Sequence, residues 1–381
     1  MNRFRITKQK LIILLICAAF LLTGTILACI RSSIVSKQVS QQMAKRWSEK
    51  GDVTQISCFF TREANVQRER LLALEHALDE ALEQASIILE SDHEGARLWA
   101  DAYCSTARVP ASTSRGTITV KAMGVGGDFF AFHPQELLYG NYFYESDVNQ
   151  DYVVIDEEIA WQLFGGIEVN GKMIDVNGKP HLIAGVIKRP QGKMDQAAGL
   201  TESILYMSYQ SLENLGEIEP ISYYEIVMPN PIKDFGMNML KEALMMDVSQ
   251  VDYVENTGRF SYANSLKLLQ QFGYRSMNGK AIIYPYWENV ARGMEDRLAL
   301  LTLFVVLFFS VPGLIFLIWI IWRWKHKKWT LETIRENLGR WKNQLLIKRS
   351  AMRREKKEKK KVKRMPINIS FDEEDEYEEI K

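Results

Sequence analysis

The sequence has few histidines and cysteines, and it lacks the motifs of most catalytic, metal-binding and nucleotide-binding sites. Its five histidines, at positions 76, 93, 133, 181 and 326, are scattered and show no H-E-x-x-H or similar metal-ligand spacing. No G-x-S-x-G, Walker A or paired-carboxylate motif can be argued, and the glycine-rich residues 124–127 lack the lysine of a P-loop. We therefore expect no enzymatic activity, no catalytic residue, no metal site and no cofactor.

Only four cysteines are present, and none of them forms a C-x-x-C pair or a Cys/His cluster. Cys17 and Cys29 lie in a long apolar run, where they act most simply as small apolar residues. Cys58 and Cys104 each lie in a strand-like stretch outside that run. The sequence therefore leaves open a disulfide between Cys58 and Cys104, if their strands are neighbours in an oxidising compartment.

The most informative feature of the sequence is a pair of long apolar runs, residues 11–30 and 298–322. Each is long enough to cross a hydrocarbon core of roughly 30 Å, which takes about 20 apolar residues in a helix. We expect two transmembrane helices with one large domain, residues 51–288, between them. A cleaved signal peptide is the alternative for the first run, although no clear A-x-A site follows it and the sequence continues into a helical pattern.

Basic residues flank both runs on the sides away from the large domain. Arg3, Arg5, Lys8 and Lys10 precede the first run, and residues 323–364 contain eighteen Lys or Arg against four Asp or Glu. Because Lys and Arg near a span tend to stay in the cytoplasm, we expect residues 1–10 and 323–381 inside. The large domain should then lie outside the plasma membrane.

The formal net charge of +1 conceals a strong segregation of charge. Residues 323–364 carry +14 and residues 365–381 carry −6, whereas the part between the N-terminal segment and residue 323 carries −11. The basic block would lie beside anionic lipid at the inner leaflet. The charge pattern therefore favours topology and lipid contact, and no nucleic-acid partner is expected.

The large domain is predicted to be α+β, a βαβ-type unit with an inserted β-rich subdomain over about residues 116–215. A stalk helix is expected over residues 31–50. Apolar periodicity then predicts strands at 53–60, 85–89 and 96–104 around a helix at 63–84, and a second set of strand, helix and strand at 223–228, 234–246 and 251–254. Within the insertion, Asn177-Gly178 predicts a hairpin turn, and Gly165 is expected to end a short helix at 157–164.

Short phrases in the insertion occur in a fixed order. They are GGDFF (126–130), LYGNYF (138–143), VVIDEEIA (153–160), LFGG (163–166), VNGK (169–172) and IAGVI (183–187). Together they resemble the periplasmic core domain of MacB/FtsX-like ABC-transporter permeases. The resemblance implies a domain between the first and second membrane helices, preceded by a stalk and an α/β half. Such permeases usually have four spans, and nothing after residue 322 is long or apolar enough to supply the last two, so we expect a two-span variant.

The segment 330–347 has an apolar stripe at alternating three- and four-residue steps. The stripe consists of Leu331, Ile334, Leu338, Trp341 and Leu345. One interpretation is an amphipathic helix on the inner leaflet, and another is a docking helix for a cytoplasmic ATPase. The basic run 348–364 and an acidic end at 372–379 follow it.

The main functional hypothesis is a non-catalytic membrane subunit of an ABC-type export or mechanotransmission system. Its outer domain would bind or gate an extracytoplasmic substrate or partner, and an ABC ATPase, with or without a second permease subunit, would act in trans. The alternative is a stand-alone membrane-anchored binding or scaffold protein, or a sensor that signals through its tail. A homo-oligomer is open in each case.

Overall fold

The computed structural model describes residues 8–89, 95–216, 218–275, 282–326, 338–350 and 352. The chain divides into two compact units, Met1–Pro312 and Gly313–Lys381. The first unit contains the whole of the predicted outer domain. Of the predicted tail features, Leu331, Ile334, most of the basic run 348–364 and the acidic end 372–379 lie outside the described residues.

The helices follow the apolar periodicity of the sequence in most places. In chain order they are α1 (Lys8–Ser36), α2 (Met43–Trp47), α3 (Arg68–Gln84), α4 (Phe129–Phe132), α5 (Glu157–Phe164), α6 (Lys193–Ala197), α7 (Tyr209–Glu213), α8 (Phe235–Leu244), α9 (Tyr262–Arg275) and α10 (Tyr286–His326). Short 3-10 helices occupy Val39–Gln42 and Arg62–Ala64. In the second unit, residues 338–350 are also helical.

The strands belong to one continuous sheet. They are β1 (Val53–Phe60), β2 (Ala100–Thr113), β3 (Gly116–Gly127), β4 (Leu137–Gly140), β5 (Tyr152–Asp156), β6 (Met173–Val176), β7 (Lys179–Ile187), β8 (Ile204–Ser208), β9 (Tyr223–Pro229) and β10 (Val251–Glu255). Over the described residues the order is β10-β1-β9-β2-β3-β8-β5-β7-β4, and β6 pairs with β2 and β7.

The predicted interrupted α/β unit is confirmed, and its two halves interleave. Strand β9 lies between β1 and β2 and runs antiparallel to both, so β1 and β2 are parallel and α3 connects them. Likewise β1 lies between β9 and β10, which are parallel and are connected by α8. The result is a split βαβ arrangement with α3 and α8 on one face.

The insertion is joined to this unit through the sheet itself. Strand β2 has fourteen residues and pairs with β3 from Ala102 opposite Gly127 to Thr113 opposite Gly116. Strand β3 then pairs with β8 in parallel, which continues the same sheet into the insertion. The turn at Asn177-Gly178 has positive φ at both residues (49° and 81°), as the predicted hairpin requires.

The predicted strand at 85–89 is wrong, because these residues end helix α3. Ser86 takes a left-handed conformation with φ 57° and donates its backbone N–H to the Glu83 carbonyl at 2.8 Å. Ile87 donates to the Leu82 carbonyl at 3.0 Å and packs on the core. This pair of bonds is a Schellman motif, so the apolar residue here serves a helix end and not a strand.

The continuous stalk helix predicted over residues 31–50 is also wrong, because α1 ends at Ser36 and a 3-10 helix and the short α2 follow. The Gln42 side chain donates to the carbonyls of Val35 at 2.5 Å and Gln38 at 3.1 Å. The last carbonyl groups of a helix have no donor within the helix, and the Gln42 amide acts as a donor at this end of α1. A polar side chain thus stabilises a break that periodicity does not predict.

Cys58 and Cys104 are both free and buried, so the disulfide that the sequence left open is not formed. Cys58 lies opposite Tyr224 of β9, and Tyr224 lies opposite Tyr103 of β2. Cys104 follows Tyr103 and therefore points to the other face of the sheet, with β9 between the two strands. Burial raises the pKa of both thiols, that of Cys104 to about 12, which keeps them neutral and unreactive.

Strand β1 is buried along its whole length and has different chemistry on its two faces. Ile56, Cys58 and Phe60 join the apolar core under α3 and α8. On the other face Gln55 and Ser57 are buried beside Glu225 of β9. Buried polar groups need hydrogen-bond partners, so this second face forms a polar centre beneath the segment where α10 begins.

Candidate functional site

Helix α10 begins inside the outer domain. Its second residue, Trp287, is buried. The centroid of the Trp287 ring lies 4.5 Å from that of the His133 ring and 5.3 Å from that of the Tyr223 ring. The next residue, Glu288, is only 1% exposed. The first turn of this long apolar helix is therefore part of the core of the domain.

Glu288 forms a buried ion pair with Arg259, from the loop that follows β10. Both ends of the guanidinium group take part, with Nη1 to Oε2 and Nη2 to Oε1 both at 2.8 Å. Arg259 Nε also donates to Glu295 Oε1 at 2.6 Å. Glu295 lies about two helical turns after Glu288 along α10. Burial alone would lower the pKa of Arg259, but the carboxylates of Glu288 and Glu295 outweigh burial and raise the pKa above its ordinary value. The pair is therefore charged.

Arg292 ties the same carboxylate to the edge strand β10. Its Nε donates to Glu288 Oε1 at 2.7 Å and its Nη2 to Asp252 Oδ2 at 3.0 Å. The Tyr284 hydroxyl donates to Asp252 at 2.8 Å, and the Arg292 guanidinium lies 3.9 Å from the centroid of the Tyr284 ring. Burial lowers the pKa of Arg292, but Glu288 and Asp252 raise it above its ordinary value.

The polar centre of the sheet is built around Glu225. Its Oε1 accepts hydrogen bonds from Gln55 at 2.9 Å and Ser57 at 2.7 Å. Its Oε2 accepts from the Tyr223 hydroxyl and lies 3.3 Å from His133 Nε2. Burial raises the pKa of Glu225, but the hydrogen bonds from His133, Tyr223 and Ser57 outweigh it and hold the pKa below the ordinary value.

Asn256 joins the polar centre to the ion pair at the start of α10. Its amide nitrogen donates to Glu225 Oε1 at 2.8 Å, and its amide oxygen accepts from Arg259 Nη1 at 3.0 Å. A continuous chain of hydrogen bonds and ion pairs thus runs from the middle of the sheet to α10. We name it the junction network and define it as Glu225, Asn256, Arg259, Glu288, Arg292 and Asp252.

Arg31 connects the two long helices, α1 and α10. It lies near the end of α1, is 5% exposed, and donates from Nε to the Thr302 hydroxyl of α10 at 2.8 Å. Its Nη2 donates to the Phe260 carbonyl at 2.5 Å and to the Ser265 hydroxyl at 3.1 Å. Arg31 therefore holds α1, α10 and the start of α9 together at one point.

The insertion also reaches α10. A Cβ atom added at Gly293 would lie 2.3 Å from Met194 Cε, so helix α6 packs directly against the backbone of α10 there. Asn289 donates to the Ala198 carbonyl, just after α6, at 3.2 Å. The α/β half and the insertion thus contact the same two turns of one helix.

None of the sequence-predicted site residues is a member of the junction network. Cys58 and Cys104 lie within the sheet, as described above. Leu338, Trp341 and Leu345 lie on the helix at 338–350 of the second unit and are exposed by 63%, 64% and 41%. In the described part of the chain no group of three or more His, Cys, Asp or Glu side chains could hold a metal ion.

Sequence reasoning missed the whole junction network, although three of its members, Glu225, Glu288 and Arg292, leave a signal. Glu225 is a single carboxylate in an otherwise apolar strand, Y-Y-E-I-V-M, and a charge in such a place needs a buried partner. Glu288 and Arg292 have the i,i+4 spacing of a helical ion pair. Arg31, which is not a member of the network, directly follows the first apolar run. The identity of the partners depends on the fold, which local patterns do not give.

These observations define a class of protein: a mixed α/β sheet domain with two flanking helices, Lys8–Ser36 and Tyr286–His326, that are long and apolar enough to cross a membrane. Residues 18–231, more than half of the chain, match the family described as MacB-like periplasmic core domain. The chain therefore belongs to this family, which occurs in permeases of ABC-type transporters. The match begins within α1 and ends after β9, so it includes Glu225 but not Arg259 or Glu288.

Solved structures with some likeness include the periplasmic region of MacB from Actinobacillus actinomycetemcomitans, at 14% identity and a TM-score of 0.39 over 59% of this chain and 94% of that one. The extracellular domain of the noncanonic ABC-type transporter YknZ from Gram-positive bacteria has 14% identity and a TM-score of 0.35, over 52% and 99%. A domain of a putative permease from Porphyromonas gingivalis has 15% identity and a TM-score of 0.30, over 54% and 89%. No curated protein matches the chain.

Proposed function

We propose that this chain is a non-catalytic membrane subunit of an ABC-type export or mechanotransmission system. In this proposal the outer domain and the membrane helices move together, because the junction network joins the sheet to the first turns of α10. The supporting observation is the buried Arg259–Glu288 pair, which connects through Asn256 to Glu225 at the centre of the sheet. Membership of the MacB-like family supports the transporter context.

The ATPase would be a separate subunit, because the sequence has no nucleotide-binding motif. The helix at 338–350 is the proposed docking element, with Leu338, Trp341 and Leu345 as the apolar contact and Leu331 and Ile334 before them. Anionic lipid at the inner leaflet would hold the neighbouring basic residues when no partner is bound. Both termini are proposed to be cytoplasmic and the sheet domain extracytoplasmic, from the distribution of Lys and Arg.

Co-purification tests this proposal directly. The tagged full-length protein is extracted from its own membranes in mild detergent, and the proteins that accompany it are identified by mass spectrometry. We expect an ABC ATPase, with or without a second permease, and we expect it to be lost when Leu338, Trp341 and Leu345 are changed to Ser. Changing Asn343 and Gln344 to Ser is the matched control and should leave the ATPase bound.

Recovery of the protein alone, or with envelope proteins only, would contradict the transporter proposal. It would favour the second candidate, a stand-alone membrane-anchored binding or scaffold protein, or a sensor that signals through its tail. The observation behind this candidate is that two helices in the described part of the chain are long and apolar enough to cross a membrane. A homo-oligomer would be detected in the same experiment by co-expression of two differently tagged copies.

A further inference from the structure

Arg31 marks the level at which both long helices change from apolar to polar surface. The apolar run 11–30 ends directly before it, and a helix of about 20 residues extends about 30 Å, the thickness of a hydrocarbon core. On α10 the exposed side chains change from charged at 296–297 to apolar at Leu300, and Thr302, which Arg31 contacts, follows. The bond between Arg31 and Thr302 therefore lies at the edge of the apolar layer, on the side of the sheet domain.

Helix α9 begins at this same level. Arg31 donates to the Phe260 carbonyl, two residues before α9, and to the Ser265 hydroxyl in its first turn. Its guanidinium lies 3.9 Å from the centroid of the ring of Tyr262, the first residue of α9, and this side chain is 45% exposed. Tyrosine favours membrane interfaces, because its ring is apolar and its tip is polar. When α1 and α10 cross a membrane, the start of α9 therefore lies at the height of the lipid headgroups.

One flank of α9 faces the edge strand of the sheet. Asn264 and Gln271 line a cleft of about 270 Å³, and Val254 and Glu255 of β10 line the same cleft. Each residue of an α-helix turns the chain by about 100°, so two residues seven positions apart lie on the same side of the helix. The flank that contains Asn264 and Gln271 is therefore turned towards the sheet domain.

The opposite flank of α9 carries an apolar stripe, which we define as Tyr262, Leu266 and Leu269. Steps of four and three residues place these side chains on one side of a helix. Leu266 is 38% exposed, and Leu269 is half-buried. By the same rotation the stripe lies about 180° from Asn264 and Gln271. The apolar stripe therefore faces away from β10.

The surroundings of the apolar stripe favour a lipid surface as its partner. Exposed apolar side chains of α10, Leu300 and Leu303, begin at the same level, so the stripe continues the surface that lipid covers. Helix α9 contains no Asp or Glu, so it has no carboxylate to repel the phosphates of lipid headgroups. A helix with an apolar face and a polar face lies in the plane of a membrane interface, with its apolar face buried about 5–10 Å.

We propose that α9 lies along the membrane leaflet on the side of the sheet domain and inserts the apolar stripe between the lipid headgroups. The partner of this part of the protein is thus the bilayer itself. Arg259 of the junction network lies three residues before α9, so the leaflet holds the network at a fixed height above the bilayer. The inference rests on the proposed function only for the insertion of α1 and α10 in a membrane.

Electron paramagnetic resonance of nitroxide labels on the full-length protein tests this position of α9. Leu266→Cys places a label in the apolar stripe, and Gln271→Cys places the matched control on the opposite flank. Both are made in a background that lacks the two cysteines of α1 and keeps the two buried ones of the sheet. The protein is placed in nanodiscs of phosphatidylethanolamine and phosphatidylglycerol. Oxygen concentrates in lipid and a nickel chelate stays in water, so we expect the ratio of their collision rates to be severalfold higher at Leu266→Cys.

A third label, Leu303→Cys on α10, separates this inference from the proposed function. If Leu303→Cys is in lipid and Leu266→Cys is as accessible to the nickel chelate as Gln271→Cys, the position of α9 is refuted and membrane insertion stands. If Leu303→Cys is itself in water, membrane insertion fails and the inference fails with it. A label at Leu266→Cys that neither reagent reaches would show that protein, such as a second copy of this chain, covers the stripe, and would also overturn the proposal.

A measurement on the unmodified chain covers the case in which a labelled variant does not fold. A phospholipid that carries a photoactivatable diazirine near its glycerol is added to the same nanodiscs, and the adducts are located by tryptic digestion and mass spectrometry. Trypsin cleaves after Arg259 and Lys267, and we expect adducts on the peptide 260–267 between them, which contains Tyr262 and Leu266. Adducts on α10 without adducts on this peptide would overturn the proposal.

Discussion

Arg259 binds Glu288 through both ends of its guanidinium group, with two nitrogen–oxygen distances of 2.8 Å. The arginine comes from the loop after the edge strand and the glutamate from the first turn of a long apolar helix. A planar guanidinium and a carboxylate joined in this way have a fixed mutual orientation. The pair therefore fixes the direction in which α10 leaves the sheet.

Breaking this pair from one side should destabilise the outer domain. In Glu288→Gln, Arg259 stays buried without its full counter-charge, and loss of one partner of a buried pair costs about 3–5 kcal/mol. We expect a clearly lower melting temperature in detergent. Glu83→Gln, an exposed carboxylate on α3, is the control and should melt like the wild type.

Replacing both partners tests whether the penalty comes from the unpaired charge. The double variant Arg259→Met with Glu288→Leu removes both charges of the Arg259–Glu288 pair, and apolar replacement of a buried pair is often close to neutral. It should recover most of the melting temperature lost in Glu288→Gln. A double variant less stable than the single one would show that the bonds of Arg259 to Asn256 and Glu295 contribute more to stability than its pair with Glu288.

Arg31 provides a second test, at the end of α1. Arg31→Lys keeps the charge but replaces three directed hydrogen bonds with one ammonium group, which cannot reach Thr302, Phe260 and Ser265 together. We expect destabilisation of about 1–3 kcal/mol, because buried acceptors lose their donor. The measurement is again thermal unfolding, together with proteolysis in the α9 region. Arg62→Lys, at an exposed ion pair with Glu219, should have little effect.

The pKa of Asp101 predicts a dependence of stability on pH. Because burial raises the folded pKa of this β2 residue to about 8 from 3.8, Asp101 stabilises the fold fully only below its unfolded pKa. That contribution is lost as the pH rises from about 4 to 8, at up to about 1.4 kcal/mol per unit. Asp101→Asn should therefore gain stability relative to the wild type over this window and level off above pH 8. A constant difference across the window would contradict the raised pKa.

The contribution of Glu225 to stability should depend on pH in the opposite direction from that of Asp101. Its folded pKa lies below the ordinary value, so its contribution is present above the unfolded pKa and is lost as the pH falls through the folded pKa. The stability advantage of the wild type over Glu225→Gln should therefore shrink in acid. Urea unfolding at a series of pH values down to the acid limit of folding measures it, and an advantage that grows in acid would refute the assignment.

Local signals predicted much of the fold. Asn177-Gly178 specifies a hairpin because both residues tolerate positive φ. Strand β1, which follows the turn residues Gly51-Asp52, has the predicted bounds 53–60. The same reasoning failed at residues 85–89, where Ser86 adopts a left-handed helix cap that is uncommon outside glycine and asparagine. Apolar composition alone could not distinguish that cap from a strand.

The candidate site could not be predicted because it depends on which strands are neighbours. The long separation in sequence between Ser57, Glu225 and Asn256 hides their contact, which arises only when β9 inserts between β1 and β2. The same insertion separates Cys58 from Cys104. One topological fact thus creates the polar centre and prevents the disulfide.

In the proposed function, movement passes between the outer domain and the membrane helices through the junction network. Hydrogen exchange of the protein purified together with its ATPase, in ATP and in ADP, tests this transmission. We predict a nucleotide-dependent change in exchange in the loop around Asn256 and Arg259 and in the first turns of α10, which the Arg259→Met, Glu288→Leu double variant abolishes while the partner stays bound. Equal exchange in the two nucleotides, or a change that persists in the double variant, would show that movement does not pass through the junction network.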